Sequence, residues 1–524
     1  MKQITTLFIA LTMTSTLSAQ LIRFQKTYGG AGTDYCWSVA QTTDGGYILG
    51  GETNSFGAGS YDAYLTKTDA YGTIQWTRTY GGTGWDRVYM VRQTPDGGYV
   101  AVGLTESSGN GLGDIWIFKT NNIGIISWQR TCGSVNGDSG NDIIPTSDGG
   151  YAAVGLQNGG VATNDNACLL KLDGSGNIQW VHSYSVGSDD DYGYSVAQTS
   201  DGGYIIGGEN FNGVNSAALA IKTDASGNVQ WANTYGGSND HWINGIIVQP
   251  SGNYMIAGVS SQLSPVNAWL AKLSPNGTPV WSNSYSGPGT SDDNCVGLAS
   301  TSDGGYALCG RTNSFSADYG AFLIKTDSSG APEWSKEYGG IGNDQASQVI
   351  QSTNSGYVLA CSSLSFGNGQ SAYVIKTDTN GSSGCNESLP AFLMTAYTLT
   401  ATSINVIDSS LTNVAASSLS FTSPTLTETS LCFTVGENEF IADDDLISIY
   451  PNPATNQITI YDSGFTIESF EVYSSLGEKI YNQNQTGDNQ QQKIHIDAHR
   501  WSAGIYFIRI KTLKETVIKK LVKQ

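Results

Sequence analysis

The chain has 524 residues, 39% of them apolar, so a large core is available. Its 45 acidic residues against 25 Lys and Arg give a formal net charge of -20, a field that argues against nucleic acid and anionic lipid as partners. The 65 glycines lack the three-residue period of collagen and gather at turn positions instead.

In chain order, the first element is an export signal. Lys2 gives a positive start, Leu7 to Met13 an apolar stretch, and Leu17-Ser18-Ala19 a cleavage site, so residues 1–19 read as a signal peptide. The apolar stretch is too short to span a membrane, and no cysteine lies near the cleavage point to carry a lipid anchor. No later segment is apolar enough to form a transmembrane span.

From Phe24 onward one block returns seven times, about every fifty residues. It is marked by a tyrosine after glycine (Tyr47, Tyr99, Tyr151, Tyr204, Tyr306 and Tyr357, with Tyr254 after Asn253) and by a lysine column at Lys67, Lys119, Lys171, Lys222, Lys272, Lys325 and Lys376. A tryptophan column follows at Trp76, Trp128, Trp180, Trp231, Trp281 and Trp334, with Phe24 one period earlier. Short strands and turns repeating at this length define a β-propeller, here seven-bladed over residues 20–384.

Each repeat contains four strand-like runs, first seen at 24–28, 36–42, 47–52 and 63–68. The Thr-Asp-Gly-Gly turn at 43–46 and the Asp-x-x-Gly turn at 69–72 spell hairpins within a blade, because Asp bonds its own turn amides and Gly accepts positive φ. The Tyr-Gly-Gly-x-Gly-x-Asp loop, at 28–34, 80–86 and 338–344, then crosses between blades. This order places the crossover loops and the variable loops such as 54–62 on one face, where binding usually resides, and the hairpins on the other. The run at 24–28 has no Lys strand before it, and the strand ending at Lys376 has no Trp strand after it. The two defects complement each other, so 24–28 is expected to close the ring as outer strand of the last blade.

The candidate binding residues are an aspartate column, Asp34, Asp86, Asp138, Asp191, Asp293 and Asp344, with His241 in the fifth repeat. Read functionally, it is a ring of carboxylates at the channel mouth for a cation or sugar; read structurally, each Asp accepts amide hydrogens from its own glycine loop. Repetition in nearly every blade favours the structural reading. Trp85, His241 and Trp242 depart from the repeat near the loop face and are further binding candidates. The lysines are expected to cover apolar surface and pair with turn carboxylates or carbonyls, and the tryptophans to pack between blades. Asp189–Asp191 and Asp292–Asp293 are candidate calcium ligands, although neither has calcium-loop spacing; no other cofactor is expected. The Asp-x-x-Gly-x-x-x-Trp pattern differs in spacing from the Asp-box of sialidases, and neither an arginine cluster nor a catalytic motif accompanies it, so no catalytic residue is assigned.

Of the eight cysteines, Cys36 and Cys295 share a small apolar column, and Cys168, Cys309 and Cys361 lie within strands, so these read as core filler. Cys385 and Cys432 flank the segment after the propeller and are the expected disulfide. That segment, 385–445, is Ser/Thr-rich, yet too rich in Leu, Ile, Val and Phe for a plain linker. Either it lays a few strands on the propeller or it forms a small β unit of its own.

The blocks Tyr80-Gly-Gly-Thr-Gly-Trp-Asp86, Gln93-Thr-Pro-Asp-Gly-Gly-Tyr99 and Gly103-Leu-Thr-Glu-Ser107 resemble the bacterial seven-bladed β-propeller repeat of exported proteins. The C-terminus, 446–524, resembles a second family. Ile449-Tyr-Pro-Asn-Pro-Ala454, Val472-Tyr-Ser-Ser-Leu-Gly-Glu-Lys-Ile-Tyr481, Ser502-Ala-Gly-Ile-Tyr-Phe-Ile508 and Val517-Ile-Lys-Lys-Leu-Val522 look like the type A C-terminal sorting domain of type IX secretion in Bacteroidetes. That resemblance implies a small β-sandwich recognised by the type IX machinery, and a mature chain released or attached at the cell surface. The expected function is a non-catalytic scaffold binding glycan or protein. The alternatives are a glycan-active hydrolase with acids on the loop face, which needs two facing carboxyls, and a purely structural surface component.

Overall fold

Alternating apolar residues and glycine turns make every element a strand. Tyr47–Thr53 and Asp62–Thr68 are buried on both faces, as central strands must be, whereas Ile74–Gly81 alternates at its outer end. The computed structural model describes residues 21–158, 164–236, 239–261, 266–367, 369–410, 414–416, 419–436, 447–450, 454, 456–462, 467–474, 479–484, 493–502, 504–512 and 516–523. The expected signal peptide lies outside them.

The chain forms two compact units, residues 1–436 and 437–524. The first contains seven antiparallel sheets of five strands each. Blade 1 runs outward as Asp34–Gln41, Tyr47–Thr53, Asp62–Thr68 and Ile74–Gly81, and blades 2 to 6 repeat that order. Blade 7 takes three strands from the end of the repeats, Asp344–Gln351, Tyr357–Ser363 and Ser371–Lys376, and its fourth from the start, Leu21–Gly29, with Phe24 opposite Lys376. The ring closes: Val358, Ala360 and Val374 of blade 7 share one apolar cluster with Cys36, Val39 and Leu49 of blade 1, and Val39 N donates to Gln348 Oε1 at 2.8 Å.

The seams repeat a small set of contacts. Outer-strand tyrosines donate to the glycine carbonyl of the next blade's Asp-x-x-Gly turn, as Tyr28 to Gly72 and Tyr80 to Gly124 do at 2.7 Å. Trp76, Trp128, Trp180, Trp231 and Trp334 each meet a tyrosine of the next blade across a seam; the rings of Trp76 and Tyr99 lie 5.8 Å apart. The six free cysteines, Cys132 included, are buried, and burial pushes the thiols of Cys36, Cys132 and Cys295 up to about 12.

Residues 387–436 do something the repeats do not announce. Of the two arrangements open to this segment, it adopts strands on the propeller. It adds one antiparallel strand to the outer edge of every blade, in reverse order round the ring. Glu387–Ser388 pairs with blade 6, Leu393–Ala396 with blade 5, Ala401–Ser403 with blade 4 and Ile407–Ser410 with blade 3. Val414–Ala416, Ser420–Thr422 and Thr427–Gly436 then reach blades 2, 1 and 7. The 24–28 strand, expected outermost in the last blade, is therefore the fourth of five. Cys385 at the start of this belt and Cys432 near its end are joined by a disulfide, which closes the circuit.

The second unit pairs Ile447–Tyr450, Gln457–Asp462 and Lys493–Asp497 in one sheet, and Lys479–Asn484, Ile467–Ser474, Gly504–Thr512 and Thr516–Lys523 in another. Ile458, Ile460, Ile494 and Ile496 from the first face Phe470, Val472, Ile508 and Ile510 from the second in a single core, which makes it a small β-sandwich.

The lysine column ends at a defect. Lys67, Lys171, Lys222 and Lys325 pair with Asp44, Asp148, Asp201 and Asp303 of the Thr-Asp-Gly-Gly turns at 2.8–2.9 Å, and Lys119 pairs with Asp96. Blade 7 has Asn354 in that slot, so Lys376 meets only neutral oxygens, of Ser352, Asn354 and Thr377, and burial pulls its ammonium down to about 7. The next residue, Ser355, sits at φ 65, where blade 1 has Gly45 at φ 84. Native Lys376 gives up its proton far below the pH at which the unfolded chain does. Its penalty is therefore complete below about pH 7 and fades as pH rises toward the ordinary lysine range. Asn354→Asp should stabilise by about 1 kcal/mol at pH 6 and by less at pH 9. Ser355→Gly should add up to about 1 kcal/mol by removing left-handed strain. Chemical denaturation at the two pH values checks both; an Asn354→Asp gain that grows with pH would contradict the assignment.

Candidate functional site

The aspartate column sits inside its own loops. Asp34 accepts from Gly30 N at 2.9 Å and Ser55 Oγ at 2.8 Å, and Asp86 from Gly82 N at 2.9 Å and Ser107 Oγ at 2.6 Å. Asp138 accepts from the amides of Ser134 and Asn158, and Asp191 from Val186 N and Asn210 Nδ2. Asp293 and Asp344 repeat the blade 1 pattern with Gly287 and Ser314, and with Gly340 and Ser365. All six are buried, so they order the crossovers rather than form a carboxylate ring at the channel mouth. His241 is buried likewise, its Nδ1 near Asn239 O at 3.0 Å and its Nε2 near Ser260 Oγ at 2.8 Å.

Burial pushes Asp138 up to about 6 and Asp191 to about 7, and raises Asp293 and Asp344 as well. A raised carboxyl stabilises fully below its unfolded value and loses that contribution as pH rises through the folded value. The turn carboxyls behave oppositely. The hydrogen bond from Lys171 holds Asp148 at about 2, and at Asp303 the Lys325 bond overcomes desolvation to the same end, so their contribution is lost as pH falls from about 4 toward 2. These carboxyls should therefore give a stability maximum near pH 4 and a decline that is complete by about pH 7, above which the fading Lys376 penalty acts in the opposite direction. Urea midpoints across that range test this, and Asp191→Asn should flatten the decline.

Trp85 is occupied. Tyr61 stacks on it with centroids 5.2 Å apart, the Arg87 guanidinium lies 4.1 Å from its centroid, and its Nε1 donates to Glu52. Glu52 also pairs with Arg87 at 3.3 Å; desolvation raises its pKa against that charge. Trp242 is half-buried, and among the described residues no aromatic ring is paired with it.

Trp242 belongs to a set that the repeat columns conceal. On the innermost strands the buried Asp is followed by residues that alternate toward the axis. The first such position holds Tyr35, Arg87, Ser139, Tyr192, Trp242, Asn294 and Gln345, all half-buried except the buried Ser139. The next holds Trp37, Tyr89, Asn141, Tyr194, Asn244, Val296 and Ser347. Trp37 and Tyr89 meet across the seam of blades 1 and 2 at 6.1 Å; Tyr35 stacks on Trp37 at 5.1 Å and Tyr192 on Tyr194 at 6.0 Å. Glu209 accepts from Tyr194 Oη at 2.8 Å, and Arg311 donates to Gln345 at 3.3 Å. The aromatics fall in blades 1, 2, 4 and 5 and are missing from blades 3, 6 and 7. The signal was available as a departure from symmetry one and three positions along from the aspartate column, but a reading centred on recurrent columns passes over it.

Most of the candidate calcium carboxylates are engaged internally: Asn210 Nδ2 bonds both Asp189 and Asp191, Asp190 accepts from Asp165 N at 3.0 Å, and Asp293 accepts from Thr312 and Ser314. Among the described residues no group of three or more His, Cys, Asp or Glu is placed to hold a metal ion.

Seven closed blades followed in the chain by a separate β-sandwich define a propeller protein with an appended β domain. Residues 448–524 match the secretion system C-terminal sorting domain, so the chain is a seven-bladed β-propeller protein sorted by type IX secretion, and this domain engages that machinery. No curated protein matches the chain. Among solved structures it is similar to Sqt1 from Chaetomium thermophilum, at 11% identity and a TM-score of 0.39, over 68% of this chain and 98% of that one. It is also similar to a eukaryotic initiation factor, at 8% identity and a TM-score of 0.28, over 68% and 98%. At these scores the likeness carries no argument, and the fold rests on the strand pairing. Among the described residues no helix is long and apolar enough to cross a membrane.

Proposed function

We propose that this protein is a non-catalytic binding module, delivered to the cell surface or the medium, that takes an extracellular glycan or protein at the loop-face mouth of its central channel. The observation that carries the reading is the uneven aromatic wall. A scaffold repeated seven times has no packing reason to place Tyr35, Trp37, Tyr89, Tyr192, Tyr194 and Trp242 toward the axis in some blades and amides, serines, a valine or an arginine at the remaining positions. The wall carboxylates Glu52 and Glu209 are held by Arg87, Trp85, Tyr194 and Ser216, which leaves neither poised as a free acid or base. A structural component needs no such wall.

The test uses the full chain on arrays of envelope glycans and surface proteins. A ligand should be captured by the wild type and lost at least tenfold by Trp37→Ala with Tyr89→Ala, at an unchanged thermal midpoint. Capture indifferent to that pair would sink the reading, and release of new reducing ends from a captured glycan would make the protein a hydrolase. Deleting residues 448–524 should leave the protein inside the envelope, read by fractionation.

A further inference from the structure

We infer that the ligand class is a neutral glycan chain, seated on three aromatic platforms at the channel mouth: Tyr35 of blade 1, Tyr192 of blade 4 and Trp242 of blade 5. This deepens the binding role proposed above and rests on it. The three residues hold the same position, next after the buried Asp or His that begins their innermost strands, so all three lie at the loop-face end of the channel wall. Each is half-buried and so still meets solvent.

Their settings differ from that of the aromatic nearest in kind. Trp85 is covered by Tyr61 and Arg87, and its N–H is committed to Glu52. Tyr35 and Tyr192 each stack on one ring deeper along the same strand, with interplanar angles of 7°, which covers one face and leaves the other without an aromatic partner. Trp242 has no ring partner among the described residues. Flat faces held from below by a second ring suit the C–H face of a pyranose, which stacks on aromatic carbon while its hydroxyls point outward. Those hydroxyls would meet Asn294 and Gln345 at the same level of the wall and Asn141 and Asn244 one level down, all half-buried amides.

The interleaving of aromatics with amides and small residues is unlike the contiguous dry apolar centre of a protein interface. Charge selects among glycans. The chain carries -20, and the one wall carboxylate paired with arginine, Glu52, is balanced by Arg87, whereas Glu209 is bonded to Tyr194 and Ser216 hydroxyls. The two glutamates are matched by Arg87 and by Arg311 beside Gln345, so the wall adds no net charge of its own, and the field of the whole chain at -20 repels uronic and sulfated chains and leaves neutral ones favoured.

The experiment titrates the full chain with cellohexaose, mannohexaose and hexagalacturonate, following tryptophan fluorescence and heat. At least one neutral hexamer should bind, hexagalacturonate at least tenfold more weakly. Trp242→Ala and Tyr192→Ala should each weaken the neutral ligand at least tenfold, with the thermal midpoint retained. Failure of both neutral hexamers to bind, or equal or tighter binding of hexagalacturonate, overturns the ligand class. If a protein is instead captured through Trp37 and Tyr89, the class falls while the binding role stands. Neutral-hexamer binding untouched by either variant overturns the platforms and the binding role together.

Discussion

Ending the chain after Gly384 should make the protein aggregate. The deletion removes the fifth strand from all seven sheets at once and bares the backbone donors and acceptors along every outer edge. It also uncovers the seams beneath. Phe392, 8% exposed, packs with Phe322 and Tyr306 between blades 5 and 6, and Leu399, 7% exposed, with Trp269 and Tyr254 between blades 4 and 5. Ile404 and Val406, Leu419, and Leu426 cover three further seams in turn. Single truncations grade the effect: Phe392→Ala should cost about 3 kcal/mol and Leu399→Ala about 2 kcal/mol. Size-exclusion chromatography and thermal melts decide the matter. A chain of residues 21–384 that does not aggregate and keeps the melting midpoint of the full protein would show that the belt contributes nothing to the propeller.

Breaking the Cys385–Cys432 bond should be the costliest change of a single residue. The bond closes a loop with a sequence separation of 47. Loop-closure entropy for that length corresponds to about 4 kcal/mol. Cys385→Ser, Cys432→Ser and the double variant should all lose the same amount, because one bond is lost in each. A reductant should reproduce the loss in the wild type and do nothing further to the variants. The six buried thiols give an internal control: they should stay silent to a thiol reagent in the native protein and react together only on unfolding. A wild type whose denaturation midpoint ignores the reductant would remove the belt's clasp from the account.

The propeller was legible because its signals are local. Thr-Asp-Gly-Gly and Asp-x-x-Gly turns dictate hairpins whatever lies around them, and the missing Trp strand after Lys376 announced its substitute at Phe24. The internal reading of the aspartate column was legible as well, since an Asp four or five residues beyond a glycine loop can reach that loop's own amides. The belt was only half legible. Phe392, Leu399 and Val406 stand seven residues apart, a step that here carries the chain from one blade to the next, with Leu419 and Leu426 continuing the same spacing after an offset. Nothing in that spacing names a propeller edge, because the partners are strands one to three hundred residues away. Asn386, at φ 48, is the residue on which the chain enters this course.

What the sequence by itself determined is the number of blades, the order of strands within each, the face each loop occupies and the sorting domain, because turn chemistry and side-chain periodicity act between near neighbours. Only the tertiary structure decided that the Ser/Thr-rich segment encircles the ring, that Trp85 is spent on Arg87 and Tyr61, and that Tyr35, Tyr192 and Trp242 share one rim. Those outcomes depend on which distant surfaces meet once seven twisted sheets close on an axis, and a ring's inner wall and outer edge do not exist until it has closed.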